Sequence, residues 1–91
     1  MISVKRNGPV FAACDENLLG KRFEDKELVL DIRESFYKGE LVEEQEFIEM
    51  LAEAENANLV GENTINIAKK QKLINTVGRI KDIPYAMMFK V

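Results

Sequence analysis

Apolar and polar positions along this chain recur at two periods, and the changes between them mark its elements. Ile2 and Val4 alternate with polar neighbours up to Asn7-Gly8, a pair suited to the left-handed angles of a tight hairpin. Val10-Phe11-Ala12-Ala13-Cys14 is then the return strand. Pro9 has no N–H to donate, so pairing starts with its nitrogen facing outward or just past it. Asp15 to Lys26 is too interrupted for a helix and is expected to be a loop holding a single turn. Leu28, Leu30 and Ile32 alternate with Val29 and Asp31, as in a third strand with one face in the core. Ser35 to Glu40 turns the chain.

From Glu43 to about Glu55 the period changes. Phe47, Ile48, Leu51 and Ala54 recur at helical spacing, with glutamates on the opposite side and in the first turn, where the helix dipole favours them. This helix is expected to pack through Phe47, Ile48 and Leu51 on a sheet that includes Leu28 to Ile32. The stretch Asn56-Ala57-Asn58-Leu59-Val60-Gly61-Glu62-Asn63-Thr64 follows, and it reads as a strand running straight into a second helix. Gly61 supplies backbone angles closed to other residues, and Asn63 or Thr64 is expected to cap the helix. Backbone donors gather at such a junction, so an anion can sit there, although a plain strand-to-helix connection explains the same residues.

The second helix is expected from Thr64 to Lys72, with Ile67, Ala68 and Gln71 on one face. Ile74 to Gly78 is a connection with a brief strand at Val77 to Ile80. Pro84 stops helix continuation, and Tyr85 to Val91 reads as the closing strand. The result is one α+β domain over residues 1 to 91, with a mixed sheet of about four to five strands and two helices in the order β-β-β-α-β-α-β. The helical connections allow a parallel pair near Asn58 to Gly61. The pattern does not fix the strand order.

A chain of 91 residues suffices for one domain. Its apolar fraction of 46% matches a globular protein, and no apolar run approaches the roughly 18 residues that cross a bilayer. Met1 to Arg6 puts its charges after the apolar residues, unlike a signal peptide, and the single cysteine agrees with a reducing, cytoplasmic setting. The net charge of -3 is unevenly spread: residues 1 to 56 carry seven bases against fourteen acids, for -7, and residues 57 to 91 six against two, for +4. Lys69, Lys70, Lys72, Arg79 and Lys81 follow one another with no intervening acid. They form either a basic edge for phosphate or a solvated face whose lysines suit the negative pole of the second helix.

The chemistry available is narrow. Without histidine there is no imidazole base and no Ser-His or Cys-His nucleophile. Cys14 reads as a small core residue, and one thiol cannot build a zinc cage. Leu19-Gly20-Lys21 lacks the upstream glycine and the following hydroxyl of a phosphate loop. No metal or cofactor is expected.

The remaining pieces carry a resemblance. Cys14-Asp15-Glu16, Leu18-Leu19-Gly20-Lys21, Phe36-Tyr37-Lys38-Gly39-Glu40, Ala57-Asn58-Leu59-Val60-Gly61-Glu62 and Ile83-Pro84-Tyr85-Ala86, in this order, resemble the archaeal domain of unknown function 424 family over almost the whole chain. The resemblance implies a small cytoplasmic archaeal protein linked with translation. Family members often carry Pro-His-Ala where this chain has Pro84-Tyr85-Ala86. Tyrosine ionises near pH 10 and cannot replace a neutral-pH base, which argues for packing or hydrogen bonding at Tyr85.

Two functions are weighed. One is a noncatalytic module binding RNA, a ribonucleoprotein or a protein partner, with RNA met by Lys69, Lys70, Lys72, Arg79 and Lys81 and by Lys21 and Arg22. The other is a small-ligand or enzymatic cleft of Asp15, Glu16, Lys21, Asn58 and Glu62, with Gly61 and Tyr85 beside them. The acidic total weighs against the first, and the missing histidine and small size weigh against the second.

Overall fold

The computed structural model describes residues 1 to 74 and 76 to 89. Asn75 of the expected connection and Lys90 and Val91 of the expected closing strand lie outside the described residues.

The N-terminal hairpin forms as its pattern requires, from β1 (Ile2–Asn7) and β2 (Val10–Asp15). Asn7 pairs with Val10, so Gly8 and Pro9 are the two central turn residues, and Gly8 alone takes the left-handed φ of 59°. Pairing begins just past the proline, which costs the ladder no donor.

A 3-10 turn over Glu16–Leu18 leads into a second hairpin, β3 (Arg22–Asp25) and β4 (Leu28–Asp31). Next come a short α1 (Glu34–Tyr37), β5 (Glu40–Val42), α2 (Glu44–Glu53), β6 (Asn56–Val60), α3 (Glu62–Lys70), β7 (Gly78–Ile80) and β8 (Ile83–Phe89). The main sheet has six strands in the order β5-β1-β2-β6-β8-β7, and β3 pairs only with β4. Its one parallel pair is β2 with β6, where Cys14 lies opposite Val60. Among the described residues, no helix is long and apolar enough to cross a membrane.

The α+β class and the mixed sheet agree with the sequence pattern, but the element count is larger and one strand changes place. Leu28 to Ile32 is not part of the main sheet. Gly20 N–H donates to the Ile32 carbonyl and Ile32 N–H to the Lys21 carbonyl, so the hairpin satisfies its backbone locally. The segment from Asp15 to Lys26, expected as a loop, therefore holds strand β3. The second helix starts two residues earlier than Thr64, and the closing strand starts at Ile83 and includes Pro84.

Both faces of the sheet are covered, by different means. On one face α2 and α3 bury Ile2, Val4, Phe11, Leu59 and Met88 beneath Phe47, Leu51, Ile65 and Ala68. Phe11 and Phe47 stack with ring centroids 6.5 Å apart. So the helix predicted from Glu43 does bury Phe47 and Leu51, but against β1 and β2 and not against Leu28 to Ile32. On the other face the 3-10 turn, the β3–β4 hairpin and α1 cover Ala12, Cys14 and Val60 with Leu18, Ile32 and Tyr37. That cover is incomplete. On β8, Ala86 and Met88 are buried beneath the helices, whereas Met87 and Phe89 on the hairpin side are 61% and 65% exposed.

Candidate functional site

At the strand-to-helix junction one buried carboxylate satisfies the first donors of the helix. Gly61, with φ 109° and ψ 153°, ends β6 and begins α3. It is not a local side chain that caps this helix. The carboxylate of Asp15, at the end of the adjacent parallel strand, accepts from the Asn63 N–H at 3.1 Å and from both the Thr64 N–H and the Thr64 hydroxyl at 2.8 Å. An anion does occupy the helix N-terminus, and it belongs to the protein. The approach requires glycine on two counts. A β-carbon on Gly61 would stand 2.7 and 2.8 Å from the two Asp15 oxygens, and the left-handed φ disfavours any side chain.

The other members of the expected cleft are dispersed. Glu16 is exposed and pairs with the Met1 amino group at 3.6 Å. Glu62 turns outward to Arg79 at 3.0 Å. The ammonium group of Lys21 is exposed and has no ion partner among the described residues. Arg22 pairs with Glu24, two residues along the same face of β3. Asn58 and Tyr85 lie elsewhere, on the hairpin side of the sheet. Asp15 and Gly61 therefore meet, but the seven residues do not form one cleft.

The basic series is divided as well. Arg79 is held by Glu62 in the first turn of α3 and by the Asp82 carbonyl at 3.1 Å. Lys69 and Lys70 are in the last turn. Over the nine residues of α3, at about 1.5 Å per residue, the two groups are roughly 12 Å apart along the axis. Lys81 shares the β7–β8 turn with Asp82, both at left-handed φ, and stays with Arg79. Lys69, Lys70 and Lys72 thus form a separate group. They are exposed, and among the described residues none has an ion partner.

Lys72 is itself strained. It takes φ 60°, while its N–H donates to the Lys69 carbonyl and the Leu73 N–H donates to the Ala68 carbonyl. This is a Schellman stop, at the position where glycine is the usual residue.

On the hairpin side of the sheet lies a groove that the residue pattern did not reveal. It encloses about 180 Å³ and is lined by Leu30, Tyr37, Asn58, Val60, Tyr85 and Met87, among others. Asn58 lies opposite Met87, and Val60 opposite Tyr85, so the register sets these side chains on one face. The end of the Tyr85 ring lies over Gly78, where a β-carbon would stand 2.6 Å from its hydroxyl. Among the described residues the Asn58 amide and the Tyr85 hydroxyl make no hydrogen bond with the protein. Burial, with Cys14 close by, pushes the Tyr37 hydroxyl up to about 12. Burial, with Asp15 second, pushes the Cys14 thiol up to about 12, so both groups are neutral near pH 7.

One signal for the groove was in the sequence. Asn58 is a poor strand former between Ala57 and Leu59, in a strand that burial on both faces would make wholly apolar. Met87 and Phe89 gave no such signal, because alternating large apolar residues read as a buried strand whichever face is open.

A solved structure, "Crystal structure of an uncharacterized conserved protein from Methanopyrus kandleri", is similar at 26% identity, covering 96% of this chain and 89% of that one with a TM-score of 0.73. No curated protein matches the chain. The model of the family described as "Protein of unknown function (DUF424)" matches residues 2–91, and the chain belongs to that family.

Proposed function

We propose that this chain is a noncatalytic module that binds single-stranded RNA in the cytoplasm, in association with translation. The observation that carries this reading is the open strip of sheet formed by Asn56, Asn58, Met87 and Phe89, together with three exposed lysines in the helix layer that have no ion partner among the described residues. Asn56 pairs with Phe89, so both mark the end of the sheet away from Gly61. Because α3 starts at Gly61 and packs back over β6 and β8, its last turn lies toward that same end of the sheet, on the helix face. Exposed Phe89 offers a stacking face, the asparagines offer donors and acceptors, and Lys69, Lys70 and Lys72 offer charge for the backbone. The glutamates of α2 share the helix face with Lys69, Lys70 and Lys72, so a strand seated on the strip meets those lysines only by passing round the end of the sheet. A lysine held at left-handed φ where glycine would be relaxed gives further support, since such strain collects at functional positions.

The cleft reading has less support. Asp15 is committed to three hydrogen bonds, and Glu16 and Glu62 are each paired.

The test is titration of a labelled single-stranded RNA of mixed sequence at several salt concentrations. Three phosphate contacts give a slope of log affinity against log salt of about -2. Reversing charge with Lys69→Glu and Lys72→Glu together is expected to weaken binding and flatten that slope toward about -0.7. No binding by the unmutated protein at low salt refutes the proposal.

A further inference from the structure

We infer that the groove at Asn58 is a pocket for one adenine ring of the bound strand, an inference that rests on the RNA reading and names the base it would take. Asn58 is an unusual residue for its position in the sheet. Asn58 is half-buried in a strand flanked by β2 and β8, where a β-branched residue would be the better choice, and its side chain has no protein partner among the described residues. No buried side-chain nitrogen or oxygen among the described residues lacks a partner, so the Asn58 amide reaches the groove surface, where a group from outside can take the place of water.

The surrounding residues narrow the ligand. A cavity of about 180 Å³ is well below the roughly 300 Å³ at which pockets for drug-sized ligands begin, so it admits a single ring system and not a whole nucleotide. Leu30, Val60, the Tyr85 ring and the polarisable Met87 thioether suit a flat aromatic guest. No charged side chain lines the groove, so the guest is neutral. Asn58 presents one acceptor beside two donors, and adenine answers with its amino group beside a ring nitrogen, the pairing that asparagine makes in bidentate base recognition. With the base seated, its sugar and phosphate leave over Met87 and Phe89 toward the end of the sheet, around which Lys69, Lys70 and Lys72 stand on the helix face.

The experiment compares labelled oligo(A), oligo(U) and oligo(C) of equal length, together with adenosine monophosphate. Oligo(A) is expected to bind roughly ten- to a hundredfold more tightly than oligo(U). Asn58→Asp, which keeps the shape but loses both donors, is expected to abolish that preference and favour oligo(C), whose amino group it can accept. Lys69→Glu with Lys72→Glu is expected to weaken every oligomer alike and leave the ratio unchanged. In the unmutated protein, adenosine monophosphate is expected to shift the side-chain amide signals of Asn58 in NMR spectra, a readout that does not depend on any variant folding. If the oligomers bind equally and the Asn58 signals stay in place, the adenine pocket is overturned while RNA binding stands. If the monophosphate shifts Asn58 but no oligomer binds, the pocket stands and the RNA reading falls. If nothing binds, both fall.

Discussion

Replacing Asp15 by alanine separates a structural carboxylate from a ligand-binding one. The side chain is 6% exposed and accepts three hydrogen bonds, from Asn63 and twice from Thr64, which is itself fully buried. Loss of a helix cap costs about 0.5 to 2 kcal/mol. The two Thr64 donors are then stranded away from water, at about 1 to 3 kcal/mol for each that finds no partner. Water entering the space left by the carboxylate relieves part of this, so the expected loss is about 3 to 4 kcal/mol. A domain of this size has roughly 5 to 14 kcal/mol in total, so the change removes a large share of its stability. Glu16 is the internal control, because it is adjacent, exposed and joined only to the amino terminus, and its replacement by alanine is expected to cost less than about 0.5 kcal/mol. The assay is urea unfolding followed by far-ultraviolet circular dichroism, since the chain has no tryptophan. A loss below about 1 kcal/mol for Asp15→Ala, or equal losses at the two positions, refutes the capping argument. Thr64→Val supplies the second arm of a double-mutant cycle, and a coupling near zero would show that Asp15 acts through something other than Thr64.

Leu51→Ala is expected to cost about 2 to 5 kcal/mol in the same assay, because Leu51 is fully buried on the inner face of α2. Cys14 is expected to resist thiol reagents in the native state, and rapid complete labelling without unfolding would overturn its burial. Raised values near 12 at Cys14 and Tyr37, against ordinary values of 9.0 and 10.0, mean that above pH 9 the unfolded chain loses protons that the folded one keeps. Stability is therefore unaffected by these groups below that pH and falls as pH rises toward 12, which alkaline urea titrations measure. Lys72→Gly is expected to raise stability by about 0.5 to 1 kcal/mol by relieving its left-handed φ, and to weaken RNA binding despite the gain.

Elements carried by local periodicity were legible in the sequence, and features that depend on distant partners were not. The N-terminal hairpin, both longer helices and the strand into Gly61 appear near their expected positions because apolar spacing and turn residues determine them nearby. Leu28 to Ile32 was recognised as a strand but assigned to the wrong sheet. Alternation shows that one face is buried and cannot show against what, and here a four-residue partner, Arg22–Asp25, satisfies it first. The α3 cap was assigned to Asn63 or Thr64 because local oxygens are the usual acceptors, whereas the actual acceptor lies 48 residues from Asn63 in sequence. The site residues divided for the same reason. Asp15, Gly61 and Glu62 do lie near one another, but reading along the chain cannot distinguish a carboxylate already committed to the fold from one that is free.

That distinction organises the molecule. At the end of the sheet where β2 and β6 run parallel, the junction's polar groups are used: Asp15 takes the helix donors, the Gly61 N–H donates to the Pro84 carbonyl, and Glu62 holds Arg79. Parallel strand ends in α/β sheets are common ligand sites, and here the chain's own side chain fills that position. At the other end the groups remain uncommitted. Burial along the hairpin side of β8 falls from half-buried Tyr85 to exposed Met87 and Phe89, as the cover from β3 and β4 runs out. A strand selected only for solubility would carry threonine or lysine at those two positions, since exposed apolar side chains on a sheet face invite association. Methionine and phenylalanine there lie beside Asn58, whose side chain has no hydrogen-bond partner among the described residues, while the lysines at the end of α3 stand on the helix face. The residues to test for function in this fold are therefore the ones whose polar or apolar surface the fold does not consume.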